Sequence, residues 1–91
     1  MKVNSKAYFV MTKRCSNACS LQFFGSDYVS AVQKAEQKSR NLRLATYVLT
    51  SEQIDAIFDS QNDKILSWQR DKNFNDECYL ELPSNFKKHL R

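Results

Sequence analysis

In 91 residues the chain carries a single glycine, Gly25, and a single proline, Pro83. Reversals of direction must therefore be built mainly by Asn, Asp and Ser clusters, whose side chains bond to nearby backbone. The same scarcity argues against a phosphate-cradling loop, which ordinarily needs several glycines for close backbone approach. No segment reads as a linker or a repeat.

Hydrophobic patterning divides the chain into five strand-like runs and two helices. Residues 7–13 and 20–24 flank the polar segment 14–19 and read as a hairpin. Ser26 or Asp27 caps a helix running to about Arg40, with Tyr28, Val32, Ala35 and Ser39 on its inner stripe and Asn41 as its stop. Lys38 and Arg40 in its last turn suit the negative end of the helix, and Glu36 with Arg40 makes a favourable i,i+4 pair. Residues 42–49 follow as a strand apolar on both faces, which suggests an interior position in the sheet.

The sharpest local signal is the next helix start. Thr50 stands as N-cap with Gln53 at the third helical position, and Leu49 can pack on Ile54 as a hydrophobic staple. Ile54, Ile57 and Phe58 then face inward, while Glu52, Asp55 and Asp59 face outward. Residues 64–70 and 77–82 are read as a second hairpin around 71–76, with Cys78, Leu80 and Leu82 alternating against Glu77, Tyr79 and Glu81. Pro83 stops that strand, and Ser84 is a candidate cap for a short terminal turn containing Phe86 and Leu90.

The expected fold is thus α+β in the order ββαβαββ: a single, mostly antiparallel sheet of four or five strands with two helices on one face. Val29, Val32, Val48, Ile54, Ile57, Phe58, Leu80 and Leu82 are the expected core. With helices on only one side, Phe24, Tyr47 or Trp68 would be left partly exposed on the outer face, and Trp68 suits the core at least as well. A hydrophobic fraction of 42% suits a globular chain, and the length suits one domain over residues 1–91.

No stretch approaches the ~20 apolar residues of a membrane helix, and residues 7–11 are too short for a signal-peptide core. Three cysteines cannot all pair within one chain, which favours a reducing, cytoplasmic setting. Cys15, Cys19, Cys78 and His89 are the one set that could make a tetrahedral zinc site. The set lacks a usual second knuckle, and free thiols are the better reading. His89 sits in a terminal segment where a solvated ring is expected, and only Cys15, beside Arg14, has a local hint of thiol activation. Glu52, Asp55, Asp59 and Asp63 read as a solvated helix face rather than a cation site. The inventory points away from an enzyme, and no cofactor or metal is expected.

Charge is the informative feature. Residues 1–51 hold eight cations against two acids, a balance of +6, whereas residues 52–86 hold three cations against eight acids, a balance of −5. Lys87, Lys88 and Arg91 return the total to +4. Two kinds of binding fit. In one, a small non-catalytic regulator or inhibitor docks on a protein or nucleoprotein complex through a basic and aromatic surface. In the other, the first helix and hairpin contact a nucleic-acid backbone. Lys13, Arg14, Lys34, Lys38, Arg40 and Arg43 are the candidate contacts in either case, with Trp68, Phe74, Tyr79 and Arg70 as candidate anchors.

A polyanion would have to wrap a body that also carries the acidic half, so the protein partner is favoured, with no membrane. Small size, glycine scarcity and the lack of catalytic groups give the chain a resemblance in type to the accessory inhibitors of phages and mobile elements, anti-CRISPR proteins among them.

Overall fold

In the computed structural model, which describes residues 7–71 and 77–90, the first hairpin forms where alternation places it. β1 (Tyr8–Cys15) and β2 (Ala18–Phe23) run antiparallel, with Phe9 opposite Phe23 and Met11 opposite Leu21. β3 (Thr46–Thr50) lies antiparallel along the other side of β1, and β4 (Cys78–Glu81) lies antiparallel outside β2. The sheet order is β3-β1-β2-β4. The α+β class and the single antiparallel sheet hold, with four strands.

Between the strands come α1 (Tyr28–Leu42), α2 (Ser51–Ile57) and α3 (Asn62–Arg70), and short 3-10 turns occupy Asp59–Gln61 and Phe86–His89. The start of α2 is the one read from sequence. Thr50 Oγ1 accepts from the Gln53 amide at 3.3 Å, and the Gln53 side chain accepts from the Thr50 amide at 2.9 Å. Such a cap contributes about 1 kcal/mol. Leu49 and Ile54 are both buried in the same cluster, as a staple requires.

Alternation along the central strand divides the core in two. Phe9 and Met11 point to one face, where they join Leu21, Leu49, Ile54, Phe58, Ile65 and Trp68. Val10 points to the other, where it meets Ala31 and Ala35 of α1 and is flanked by Tyr8, Phe24 and Val48. α1 therefore covers one face, while α2 and α3 supply the core of the opposite one. The expectation of two helices on one face is corrected by this: both faces of β1 are apolar, so each must be covered.

The same fact explains a second correction. The strand read as interior, over 42–49, is the edge strand β3, apolar on both sides because both of its faces are covered. α1 takes residues 41 and 42, and Arg43, at φ 56, makes its left-handed C-cap in place of Asn41. Only a short connection then precedes Thr46.

The expected hairpin over 64–70 and 77–82 does not form, because Lys64–Arg70 is helical and the order is ββαβααβ. Ile65 and Trp68 are three residues apart and both buried, a helical spacing, and Arg70 sits in the last turn where a cation is favoured. A short run with a single β-branched residue gave periodicity little to decide on. Trp68, at 8% exposure, belongs to the core rather than to an outer face, whereas Phe24 and Tyr47 are half-buried.

Of the expected core, Val29 is exposed at 64%, and Val32 and Val48 are half-buried. The inner stripe of α1 is centred on Ala31 and Ala35, which turns Tyr28 and Val29 outward. The terminal turn buries Phe86 and takes Asn85, not Ser84, as its N-cap position.

Candidate interaction surface

α1 is fixed to the sheet by small residues and by its ends. Ala31 and Ala35 allow close approach, and Thr46 Oγ1 donates to the Ala35 carbonyl at 2.8 Å. At the helix start Asp27 accepts from the Ser30 amide at 3.0 Å and from the Ser30 hydroxyl at 2.6 Å. Those two bonds hold the Asp27 carboxyl below its ordinary pKa. Tyr28 packs edge-on against Tyr8, with ring centroids 5.1 Å apart. The outer surface of this helix is thereby presented on a rigid support.

The six candidate cations do not form one patch. Lys13 points to the α2 side of the sheet, with its ammonium 5.7 Å from the Phe86 ring centroid. Arg14 and Lys38 converge instead on Glu77. The Glu77 carboxylate accepts from Lys38 at 2.8 Å, from Arg14 at 3.0 Å and from the Ser20 hydroxyl at 2.6 Å. Arg14 also donates through Nε to Ser20 Oγ at 3.1 Å and stacks over Tyr79 at 5.8 Å. Burial pulls the Glu77 pKa upward, but the bonds from Lys38 and Ser20, the charge of Lys38 and the bond from Arg14 outweigh it, leaving a net lowering. Glu77 is ionised at neutral pH and ties down two of the six candidates.

The other three are on or just beyond α1. Lys34 and Arg40 line a shallow cleft of about 360 Å³ with Phe24, Ser30, Gln33 and Gln37, and Lys34 donates to Gln37 at 3.5 Å. Arg43 is exposed at the helix end. Sequence reading missed what lies beside them: Tyr28 and Val29 at one end of α1 and Leu42 at the other, all exposed. The pair of alanines four apart was the signal that could have found them, because a helix that rests on alanines turns its larger apolar groups elsewhere. Of the candidate anchors, Trp68 is core, Tyr79 is 58% exposed beside Arg14, Arg70 is exposed, and Phe74 lies outside the described residues.

The four candidate zinc ligands are dispersed. Cys15 is exposed at the hairpin bend and donates to Asn17 Oδ1 at 3.2 Å, whereas Cys19 and Cys78 are buried in the core. Burial pushes the Cys19 thiol up to about 12, with Cys78 adding to the effect, and burial raises Cys78 as well. Neither is a nucleophile at neutral pH. These residues and His89 do not gather into a ligand set, and no group of three or more His, Cys, Asp or Glu is placed to hold an ion among the described residues. No described helix is long and apolar enough to cross a membrane. No family model, curated protein or solved structure matches the chain.

Proposed function

We propose that this chain is a small non-catalytic protein-binding domain, a regulator or inhibitor that works in the cytoplasm and docks on its partner through the outer surface of α1. One observation carries the reading. Exposed Tyr28, Val29 and Leu42 share a rigid helix with Lys34, Arg40 and the adjacent Arg43, while Glu77 holds Arg14 and Lys38.

Apolar and aromatic anchors with a few cations at their rim suit a protein interface. A nucleic-acid backbone rewards a run of free cations, each releasing a counterion, and the clamp at Glu77 interrupts that run. The free state of all three thiols agrees with a reducing compartment.

The test is retention of a partner from nuclease-treated bacterial lysate by the immobilised chain and by a Val29→Glu/Arg40→Glu variant. Both positions are exposed, so the variant is expected to melt like the wild type. The proposal expects a defined protein held by the wild type and weakened by about tenfold or more in the variant. Equal retention by both proteins, or loss of every partner on nuclease treatment, would count against it.

A further inference from the structure

Each edge of the sheet is closed at one end by a glutamine side chain and left open over the rest. At the β4 edge the Leu82 amide donates to the Asn17 carbonyl, which fixes the phase of pairing and turns the backbone of Glu81 outward. At Glu81 that backbone is closed by a side chain, since the Gln61 amide donates to the Glu81 carbonyl at 2.8 Å and accepts from the Glu81 amide at 2.9 Å, whereas Tyr79, outward in the same phase, has no such side-chain partner among the described residues. Gln61 thus stands where a neighbouring strand would, a common way of blunting an edge.

At the β3 edge the phase is fixed by Lys13 donating to the Ala45 carbonyl and Ser51 donating to the Ala7 carbonyl. Leu49 and Tyr47 then bond to β1, and Thr46 and Val48 turn their N–H and C=O groups outward. Thr50, outward in the same phase, gives its N–H to the Gln53 side chain at 2.9 Å, and among the described residues no side chain bonds the outward groups of Thr46 and Val48. Beside it runs a groove of about 420 Å³ between β3 and α1, lined by Val32, Ala35, Ser39, Thr46 and Val48 with one acid, Glu36, and one cation, Arg40.

Charge identifies the occupant. Arg40 lines the groove on the α1 side of the edge, and Arg43, the C-cap of α1, is exposed. On the opposite face the 3-10 turn Phe86–His89 runs alongside, its Phe86 ring packed 5.6 Å from Tyr47 and its His89 carbonyl accepting from Gln53. That turn exposes Lys87 and Lys88, and Lys13 lies over Phe86. Against these cations the neighbouring acids are Glu36 and Glu52.

We infer that the open edge of β3 takes up an extended acidic peptide segment of a partner protein as an added strand. The peptide backbone pairs with Thr46 and Val48, its apolar alternate side chains enter the groove beside α1, and its acids, on the opposite face, meet the lysines of the terminal turn. Strand addition of this kind draws affinity from main-chain bonds and selectivity from pockets for alternate side chains. The inference rests on the protein-docking reading and adds to the α1 surface a second contact, the neighbouring β3 edge, with one chemistry.

The probe is a synthetic octapeptide alternating valine and glutamate, titrated into the isotopically labelled full chain and followed by amide NMR. Saturable shifts at Thr46 and Val48 are expected, with slowed hydrogen exchange at both amides. Binding should weaken by about tenfold or more in Lys87→Glu/Lys88→Glu, and also when alternate peptide nitrogens are methylated. The inference is overturned if β3 amides do not respond, if methylation is without effect, or if light scattering shows a dimer whose dissociation frees the same amides. Response at Val29 and Gln33 without β3 would sink the strand but leave protein docking standing. Failure of the lysate test with the α1 variant strikes the docking reading itself.

Discussion

Replacing Phe9 by alanine is expected to remove about 3–5 kcal/mol of stability, the usual cost of emptying a buried phenylalanine site. Phe9 is fully buried on a central strand, opposite Phe23 on one side and Leu49 on the other, and its ring meets Phe23 edge-on at 5.3 Å. The cavity would open where α2, α3 and the terminal turn share their core, so no single element can move to fill it. A domain of this size has on the order of 5–15 kcal/mol in total and belongs near the lower end. A large part of the population should therefore be unfolded under mild denaturant. Val10→Ala, one residue away on the α1 face, removes fewer carbons and should cost less. Urea titration checks both: a lower midpoint at unchanged slope is expected, larger for Phe9. Equal losses would show that the two faces do not divide the core as described.

Raising the pH is expected to unfold the protein through its core thiols. The Cys19 thiol stands at about 12 in the fold against an ordinary value of 9.0, first because it is buried and second because Cys78 is its neighbour. A raised pKa means that the folded state holds its proton where the unfolded chain has lost it. The associated stability is complete below pH ~9 and is lost as pH rises toward about 12. At ~1.4 kcal/mol per pH unit the whole loss is on the order of 4 kcal/mol, and Cys78 acts in the same direction. The informative quantity is the difference between wild type and Cys19→Ala. The variant should start less stable, having lost a packed side chain, and decline less steeply above pH 9. Parallel decline would show that Cys19 is not protonated in the core.

Local chemistry was legible in the sequence wherever a few adjacent residues decide the outcome. Thr50 with Gln53 and Leu49 with Ile54 announce the start of α2, and the alternation of Cys78, Leu80 and Leu82 announces β4. Placement in three dimensions was not. An apolar strand such as residues 46–50 looks the same in the middle of a sheet as at an edge covered on both faces. Lys64–Arg70 is too short for period 2 and period 3.6 to be told apart, and its helical state follows from the packing of Ile65 and Trp68 against the sheet.

The candidate surface was legible in the same partial way. Composition identified the cations, but which are free is set by Glu77, an acid 63 positions from Arg14 in sequence. Nothing local links it to α1 either. The exposed Tyr28 and Val29 were hidden by the ordinary preference for burying the larger residue, which Ala31 and Ala35 overrule here.

That clamp is also where the account is most directly tested, by titrating a fluorescent single-stranded oligonucleotide with the wild type and with Glu77→Gln at several salt concentrations. If Glu77 withdraws Arg14 and Lys38 from the surface, the wild type should bind weakly, with a dissociation constant above about 10⁻⁵ M near 0.1 M salt. Glu77→Gln, by freeing two cations, should bind more tightly, with a log–log salt slope steeper by about 1.4. Wild-type binding tighter than about 10⁻⁶ M, unchanged by the substitution, would contradict the account and make the basic surface a nucleic-acid site.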